Sequence, residues 1–329
     1  MKVAIVSSVG GHLSEVVQLR PIYEKYEHFY ILNDAKKLPD FMEGRTYFIK
    51  HSERDLWTLY NLWECWQILA KERPDVIVST GAGPAVPAFM VAGRLGIFRL
   101  YIESFCAFYR PTLTGRLIHA LRLFEKLFYQ WPYLSGFFPK GSYEGIIYEP
   151  PRAQASVAGR EDLVLVSVGN RREPFPRMLR AAEEALAHTK HRVVWQTGYT
   201  DYRPKSGEVH DFLPPEKFQD VLHRASVVIC QAGEGSVMEA IHAGHLPIVF
   251  PRRAEHGEVL NDHQLDLVTE LSKLGWVRGA STVAEVSAAV GDALGGELKI
   301  QRAPMPRLVE SVKRALAGCS PTKRDGTVL

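Results

Sequence analysis

The sequence predicts an α/β protein: two Rossmann-like parallel-sheet domains facing a central cleft. Three observations predict it. Short apolar runs alternate with helical patterns along the chain, the signature of parallel strands joined by crossover helices. The pattern starts twice, on either side of the proline-rich polar stretch EPPRAQASVAGRED at 149–162. The halves also echo each other. VIVSTGAGPAVPAFMVAGRLGI at 76–97 matches VVICQAGEGSVMEAIHAGHLPI at 227–248, each a strand, a GxG turn and a helix with a small-residue end.

The elements follow in order. KVAIVSS (2–8) reads as a buried strand, and HLSEVVQLRPIYEKY as the helix after it. HFYILN (28–33) and RTYFIKH (45–51) are the next strands. Residues 53–74 form a long helix with Leu56, Tyr60, Trp63, Trp66, Gln67 and Ala70 near one face. PDVIVST (74–80) and LYIES (100–104) complete the first set of strands. After the linker come DLVLVSVGN (162–170), the helix RMLRAAEEALAHT, and strands at 191–198, 208–214, 225–233 and 247–252. The domains predicted are 1–150 and 160–329, in keeping with 329 residues at roughly 150 per domain.

Composition narrows the class. The chain is 46% hydrophobic and 23% charged, a globular mixture, and its net charge of +3 gives no reason to expect a nucleic-acid partner. Cys65, Cys106, Cys230 and Cys319 form no CxxC pair, and Cys65 and Cys230 sit in apolar runs as buried thiols, which fits a reducing cytoplasm. The first apolar run is a short strand with a turn behind it, so no signal peptide is expected. No run of about 18 uncharged apolar residues predicts a transmembrane helix.

Ligands of open α/β sheets bind beyond the carboxyl ends of strands. Four glycine turns lie there: Gly10-Gly11, Gly81/Gly83, Gly169 followed by Asn170, and Gly233/Gly235 with Glu234 between them. Such turns let backbone N–H groups and a helix dipole approach a diphosphate. Ser236 stands at a helix start and Glu239 one turn later. The pair can grip phosphate and ribose, or can form an S-x-x-E capping box. PRRAEHGEVLNDHQ (251–264) packs Arg252, Arg253, Glu255, His256, Glu258, Asn261, Asp262, His263 and Gln264 into one polar loop suited to sugar hydroxyls. No DxD pair and no trusted ligand pattern occurs, so no metal is expected. Between Thr114 and Phe138, Arg116, Arg122 and Lys126 alternate with Phe124, Phe128, Tyr129, Trp131, Tyr133, Phe137 and Phe138, which suits a helix at a membrane interface. Trp57, Trp63 and Trp66 add to that reading.

With these residues in view, the sequence resembles bacterial exopolysaccharide and capsule glycosyltransferases of the PssD and PssE type. They are similar to the two subunits of the eukaryotic dolichol-linked UDP-GlcNAc transferase, here fused in one chain. GGHLSE, STGAGPAVP, YIESF, LTGRL and QWPYL resemble the acceptor-side subunit. VSVGN, QTG, FLPPEKF, QAGEGSVMEAIHAG and PRRAEHGEVLNDHQ resemble the donor-side subunit. More distantly, the second half looks like the peptidoglycan lipid II glycosyltransferase. The chain departs from the family at Glu234, where a small residue is common, and at Asn170, where threonine or serine is frequent. Acceptor-side relatives often begin with a membrane anchor, which is not expected here.

The resemblance implies a GT-B fold and an inverting, metal-independent transferase, with no cofactor beyond its UDP-sugar substrate. The acceptor would be a polyprenyl-diphosphate-linked sugar, and the place of action the inner face of the cytoplasmic membrane, held peripherally. It puts Phe212 and Leu213 at the uracil, Glu239 at the ribose, and Gly235 and Ser236 at the diphosphate. Asp262, His263 and Gln264 fall at the sugar, with Gln196 and Gly198 lining the cleft. On the acceptor side Gly10, Gly11, Gly81, Gly83 and Arg116 are candidates. A base must reach the acceptor hydroxyl, so His12 and Glu103 are the catalytic candidates, His12 favoured because a helix start keeps it neutral. Arg252 and Arg253 point to a glucuronosyl donor or to the diphosphate, since arginine forks suit carboxylates. A UDP-sugar epimerase and a non-catalytic UDP-sugar-binding subunit are the competing readings. A dehydrogenase is disfavoured, because no GxGxxG follows the first strand and Asp34 is a poor ribose ligand.

Overall fold

Val3, Ala4, Ile5 and Val6 have no exposed surface, because helices cover both faces of the first strand. Runs of this kind recur through the molecule and organise it. The structure, a computed structural model, describes residues 1–33, 39–50, 57–151, 160–259, 262–295 and 305–319. Asp34, Asn261 and residues 152–159 of the expected linker lie outside the described residues.

The chain divides into two compact units, Met1–Glu149 with Met305–Leu329, and Pro150–Pro304. The first holds β1 (Lys2–Ser7), α1 (Gly11–Val17), α2 (Arg20–Tyr23), β2 (Glu27–Asn33), β3 (Thr46–Ile49), α3 (Trp57–Glu72), β4 (Val76–Ser79), α4 (Ala85–Arg94), β5 (Phe98–Ile102), α5 (Leu113–Ala120), β6 (Lys126–Tyr129) and β7 (Ser142–Tyr143). Its sheet runs β3-β2-β1-β4-β5-β6-β7, with every pairing parallel. The second holds β8 (Glu161–Ser167), α6 (Pro176–Leu186), β9 (Arg192–Gln196), β10 (Glu208–His210), α7 (Pro215–Arg224), β11 (Ala225–Gln231), α8 (Glu234–His242), β12 (Ile248–Phe250), α9 (His263–Lys273), β13 (Arg278–Gly279) and α10 (Val283–Leu294). Its sheet is also parallel, ordered β10-β9-β8-β11-β12-β13.

The strand order reverses once in each sheet, between β1 and β4 and between β8 and β11. The turns leaving such a pair diverge to opposite faces and open a crevice. Gly10-Gly11 and Gly81/Gly83 leave the first pair, and Gly169 and Gly233/Gly235 the second. The echo between 76–97 and 227–248 is therefore β4–α4 and β11–α8, each on the far side of its reversal point.

Packing explains where the elements differ from expectation. The helix expected from His12 onward is two pieces, because Pro21 brings no N–H and restarts the helix at its own first turn. On α3, Cys65, Ile68 and Leu69 face the sheet with Phe89 of α4 and Ile118 of α5. A buried side chain such as Phe89 stabilises the fold by about 1.5–3 kcal/mol. Tyr60, Trp63 and Trp66, expected along one face, do share a side, and that side is exposed. The stretch 114–138 is not one amphipathic helix. It is α5, then β6 and a short 3-10 turn, and Phe128, Tyr129, Trp131 and Phe138 are core residues. What α5 leaves exposed is a leucine stripe, Leu113, Leu117 and Leu121, beside Arg116 and Arg122.

The domain boundary at 160–329 also needs correction at its end. Helix α11 (Leu308–Ala317) belongs to the first unit. Leu308, Val312 and Leu316 are buried, Leu308 N donates to Ile146 O at 3.1 Å, and Ile146 N donates to Pro306 O at 3.2 Å. A Cβ on Gly145 would lie 1.8 Å from Pro306 O, so the two backbones touch there.

Candidate functional site

In the first unit, α1 starts at the reversal point and its N-cap is Gly10 at φ 113°, a conformation open to glycine and strained for other residues. The turn carries His12 against the end of β4. His12 Nδ1 lies 3.0 Å from Thr80 O, and Thr80 Oγ1 donates to His12 O at 3.0 Å. A carbonyl only accepts, so Nδ1 carries the ring proton and Nε2 holds a free lone pair. Gly81 makes room for the ring, since a Cβ there would sit 3.1 Å from His12 Cε1. Burial lowers the His12 pKa below the ordinary histidine value, against the pull of the Thr80 bond, so the ring is neutral at pH 7.

Beneath His12 lies a buried polar network. Glu15, one turn on, is 3.8 Å from His12 Nδ1 and has no exposed surface. It accepts from Ser104 Oγ (2.8 Å), Phe105 N (3.0 Å) and Gln130 Nε2 (2.9 Å). Gln130 also donates to Glu103 O and accepts from Ile147 N, tying four segments together. Glu103, just past β5, is equally buried. Its Oε1 accepts from Ser104 N (2.8 Å) and Thr112 Oγ1 (2.7 Å), while Oε2 has no partner among the described residues and faces Gly115, where a Cβ would lie 1.8 Å away. Burial pushes the Glu103 carboxyl up to about 7. Of the two candidate bases, only His12 presents surface, 24% of its side chain; Glu103 presents none. Gly83 and Arg116 are exposed and lie on the adjoining loop and on α5.

In the second unit, Gly169 and α8 meet across the reversal point. Gly169 has φ +71°, and a Cβ there would lie 2.3 Å from Gln231 Nε2 and 3.2 Å from Ser236 Oγ. Helix α8 is capped at Gly233 with no side-chain hydrogen bond, so the capping-box alternative for Ser236 and Glu239 fails. Both residues sit inside the helix, past its N-cap. Glu239 accepts from Gln219 Nε2 of α7, and burial raises its pKa. Gln196, at the end of β9, accepts from Leu213 N (3.0 Å) and donates to Ser167 Oγ (3.2 Å), which in turn accepts from Gly169 N (3.2 Å). That chain fixes the loop on which Phe212 stands. Phe212 is exposed and meets Tyr199 edge-on at 5.0 Å, while Gly198 N donates to Asp211 O. Asn170, Glu234 and Gly235 line the same rim with partial or full exposure.

The polar loop is held from below. Glu258 takes both arms of Arg177 (2.9 and 2.8 Å) and the Arg253 N–H (2.9 Å). Asp262 Oδ1 accepts from Ala254 N, Gln264 Oε1 from Arg252 N, and His263 is exposed. Arg253 pairs with Glu255 at 2.9 Å. Arg252 departs from expectation: it has no exposed surface and stacks on Phe175 at 4.3 Å, so its guanidinium is not a surface fork for a sugar carboxylate. Sequence reasoning missed Glu15, Thr80, Gln130, Gln219 and Gln231. All but Gln219 lay inside quoted motifs, but the partners of all five are distant in sequence.

Two family descriptions match the chain: "Oligosaccharide biosynthesis protein Alg14 like" over residues 52–147, and "Glycosyltransferase family 28 C-terminal domain" over residues 163–315. The chain is similar to the UDP-N-acetylglucosamine transferase subunit ALG14 of Rattus norvegicus, 31% identical over 177 residues, spanning 44% of this chain and 81% of that protein. It is 26% identical over 226 residues to the UDP-N-acetylglucosamine–N-acetylmuramyl-(pentapeptide) pyrophosphoryl-undecaprenol N-acetylglucosamine transferase of Citrifermentans bemidjiense, over 63% of this chain and 60% of that one. Among solved structures, Acinetobacter baumannii MurG shares the fold at TM-score 0.62 and 15% identity, over 97% and 96% of the two chains. UDP-GlcNAc 2-epimerase of Methanocaldococcus jannaschii does so at TM-score 0.66 and 14% identity, over 96% and 99%. The fold is thus of the GT-B class, two Rossmann-like parallel-sheet domains.

Proposed function

The chain belongs, through its first half, to the Alg14-like family of oligosaccharide biosynthesis proteins, and we propose that it moves a hexosyl residue from a UDP-sugar to a polyprenyl-diphosphate-linked sugar. The observation that carries this reading is the chemical difference between the two reversal points. The second is a glycine cradle with an open helix start and a carboxylate one turn on, which suits a nucleoside diphosphate. At the first, the carboxylate one turn on, Glu15, is sealed beneath the turn by Ser104, Phe105 and Gln130, and the turn instead presents a neutral histidine.

In this reading the acceptor oxygen attacks the anomeric carbon as the bond to the UDP oxygen breaks, inverting the centre. His12 Nε2 takes the hydroxyl proton, and the Thr80 carbonyl keeps the ring in the tautomer that can accept it. The departing diphosphate gains charge, which the N–H groups of the Gly169 turn and of the α8 start, with Ser236 Oγ, are suited to stabilise. Glu239 would hold the ribose, and Phe212 with Leu213 the uracil. Asp262, His263 and Gln264 would meet the sugar. No metal is invoked, since the helix start supplies the positive potential.

The finer reading is a glucuronosyl donor in exopolysaccharide or capsule assembly. Its support among the arginines is Arg253 alone, Arg252 being buried. No described helix is long and apolar enough to cross a membrane. Peripheral attachment at the cytoplasmic face is the proposal, through Leu113, Leu117 and Leu121 with Arg116, and Trp63 and Trp66 of α3. The test is transfer of radiolabel from a panel of UDP-sugars to a polyprenyl-diphosphate-linked sugar. Label in the lipid fraction supports a transferase. Interconversion of the UDP-sugar without acceptor would make it an epimerase, and UDP binding without product a binding subunit. Preference for a neutral hexose would remove the glucuronosyl assignment.

A further inference from the structure

The geometry points to Gln231 as a hydrogen-bond donor to the diphosphate of a nucleoside diphosphate, with Arg252 as the positioning residue that aims its amide. This rests on the donor-site reading above and adds two roles to it. Gln231 ends β11 at the reversal point and is 3% exposed. Its Oε1 accepts from Arg252 Nε at 2.9 Å. A guanidinium offers donors only, so the amide cannot be turned round: the oxygen must face Arg252 and the NH2 must face away. On that far side lie the two glycine turns. Nε2 is 2.3 Å from the place of a Cβ on Gly169 and 3.2 Å from that on Gly233, and Ser236 Oγ is 3.2 Å from the Gly169 position. Among the described residues this NH2 donates to no acceptor. It takes the place that a side chain at Gly169 would fill, beside Gly233.

Arg252 gives the second observation. It is fully buried, with Nη1 donating to Pro174 O (3.1 Å), its plane stacked on Phe175, and Nη2 without a partner. Among the described residues no carboxylate forms an ion pair with it. A buried cation left unpaired is costly. An anion seated between Gly169, Gly233 and Ser236 would supply the missing charge, through Gln231 rather than by touching the guanidinium. Free phosphate has the same charge but lacks the nucleoside, so the comparison of ligands separates the sources.

The test is calorimetric titration of the full chain with UDP, uridine and inorganic phosphate. Gln231→Ala should weaken UDP binding about tenfold, the loss expected for one hydrogen bond to a charged group, and leave uridine within about twofold. Gln231→Glu gives Arg252 a carboxylate partner and places negative charge in the cradle. It should melt no lower than the parent protein and yet lose UDP more severely than Gln231→Ala, a split that a structural role alone does not produce. Arg252→Lys should weaken UDP, and the double variant with Gln231→Ala should be no weaker than Gln231→Ala itself. UDP affinity unchanged in both Gln231 variants overturns the inference, as does a parallel loss of uridine and UDP. A parent chain that binds neither UDP nor uridine overturns the proposed function and this inference with it; parent binding with indifferent variants overturns this inference alone.

Discussion

Glu103→Gln is the substitution whose effect can be worked out in most detail. The Glu103 carboxyl has no exposed surface and stays protonated in the folded chain up to about pH 7. Its ordinary value, which the unfolded chain restores, is 4.5. Between these limits the folded state holds a proton that the unfolded state has released. Stability must therefore fall as pH rises through the window, with the full contribution present below 4.5 and gone above about 7. At about 1.36 kcal/mol per unit, the fall is roughly 3 kcal/mol. Glutamine does not titrate, and its Oε1 can keep the bonds from Ser104 N and Thr112 Oγ1. Whatever the variant's stability at pH 4.5, it should gain about 3 kcal/mol on the parent by pH 8. Urea unfolding of the first unit at the two pH values measures this, and all other titrating groups cancel in the difference. A variant-minus-parent gap that is constant to within about 0.5 kcal/mol refutes the reasoning from burial. Turnover gives an independent reading: with Glu103 sealed from substrate, the variant should keep kcat within about tenfold, whereas loss of a general base costs about 10²–10⁴-fold.

The converse holds for His12→Ala, which should lower kcat by about 10²–10⁴-fold while UDP affinity and melting temperature persist. Because burial lowers the His12 pKa, kcat of the parent should be flat through pH 6.5–8 and fall only below the ordinary histidine range, which a pH–rate profile would show. Glu239→Ala should weaken UDP about tenfold, and it should erase the preference for UDP over its 2′,3′-dideoxy analogue measured in parallel titrations. Leu117→Glu on the exposed stripe of α5 should reduce co-sedimentation with anionic liposomes without changing kcat on a short-chain soluble acceptor.

The strands were legible because burial on both faces writes itself as an unbroken apolar run, as in Val3–Val6 and Val227–Ile229. Strand β6 was not. KLFY is too short to show a period and merges into the aromatic residues around it, which read as one membrane-facing surface. The aromatic side of α3 was grouped correctly, but a periodic pattern does not say which side meets the sheet when Cys65 and Ile68 lie on one and Trp63 and Trp66 on the other. The glycine turns stood out because glycine at a strand end has a physical reason to be there. The network beneath them did not. Glu15 meets Ser104 and Gln130 at separations of 89 and 115 residues, and Gln231 meets Arg252 at 21. Those contacts come from sheet order, which no local window contains. Arg252 and Arg253 are adjacent in sequence and opposite in fate, one sealed and one on the rim, because successive residues leaving a strand point to opposite sides.

The return of α11 to the first unit has a consequence for how the protein is made. Translation delivers the first unit's sheet early and its last helix last. The bed that receives Leu308, Val312 and Leu316 is complete by Glu149, but the helix itself follows the whole of the second unit. At about 5–20 residues per second, that interval lasts roughly 10–30 seconds. During it the edge around Phe98, Phe128 and Ile146 is exposed on the nascent chain, a window in which a chaperone would find apolar surface that the finished molecule hides.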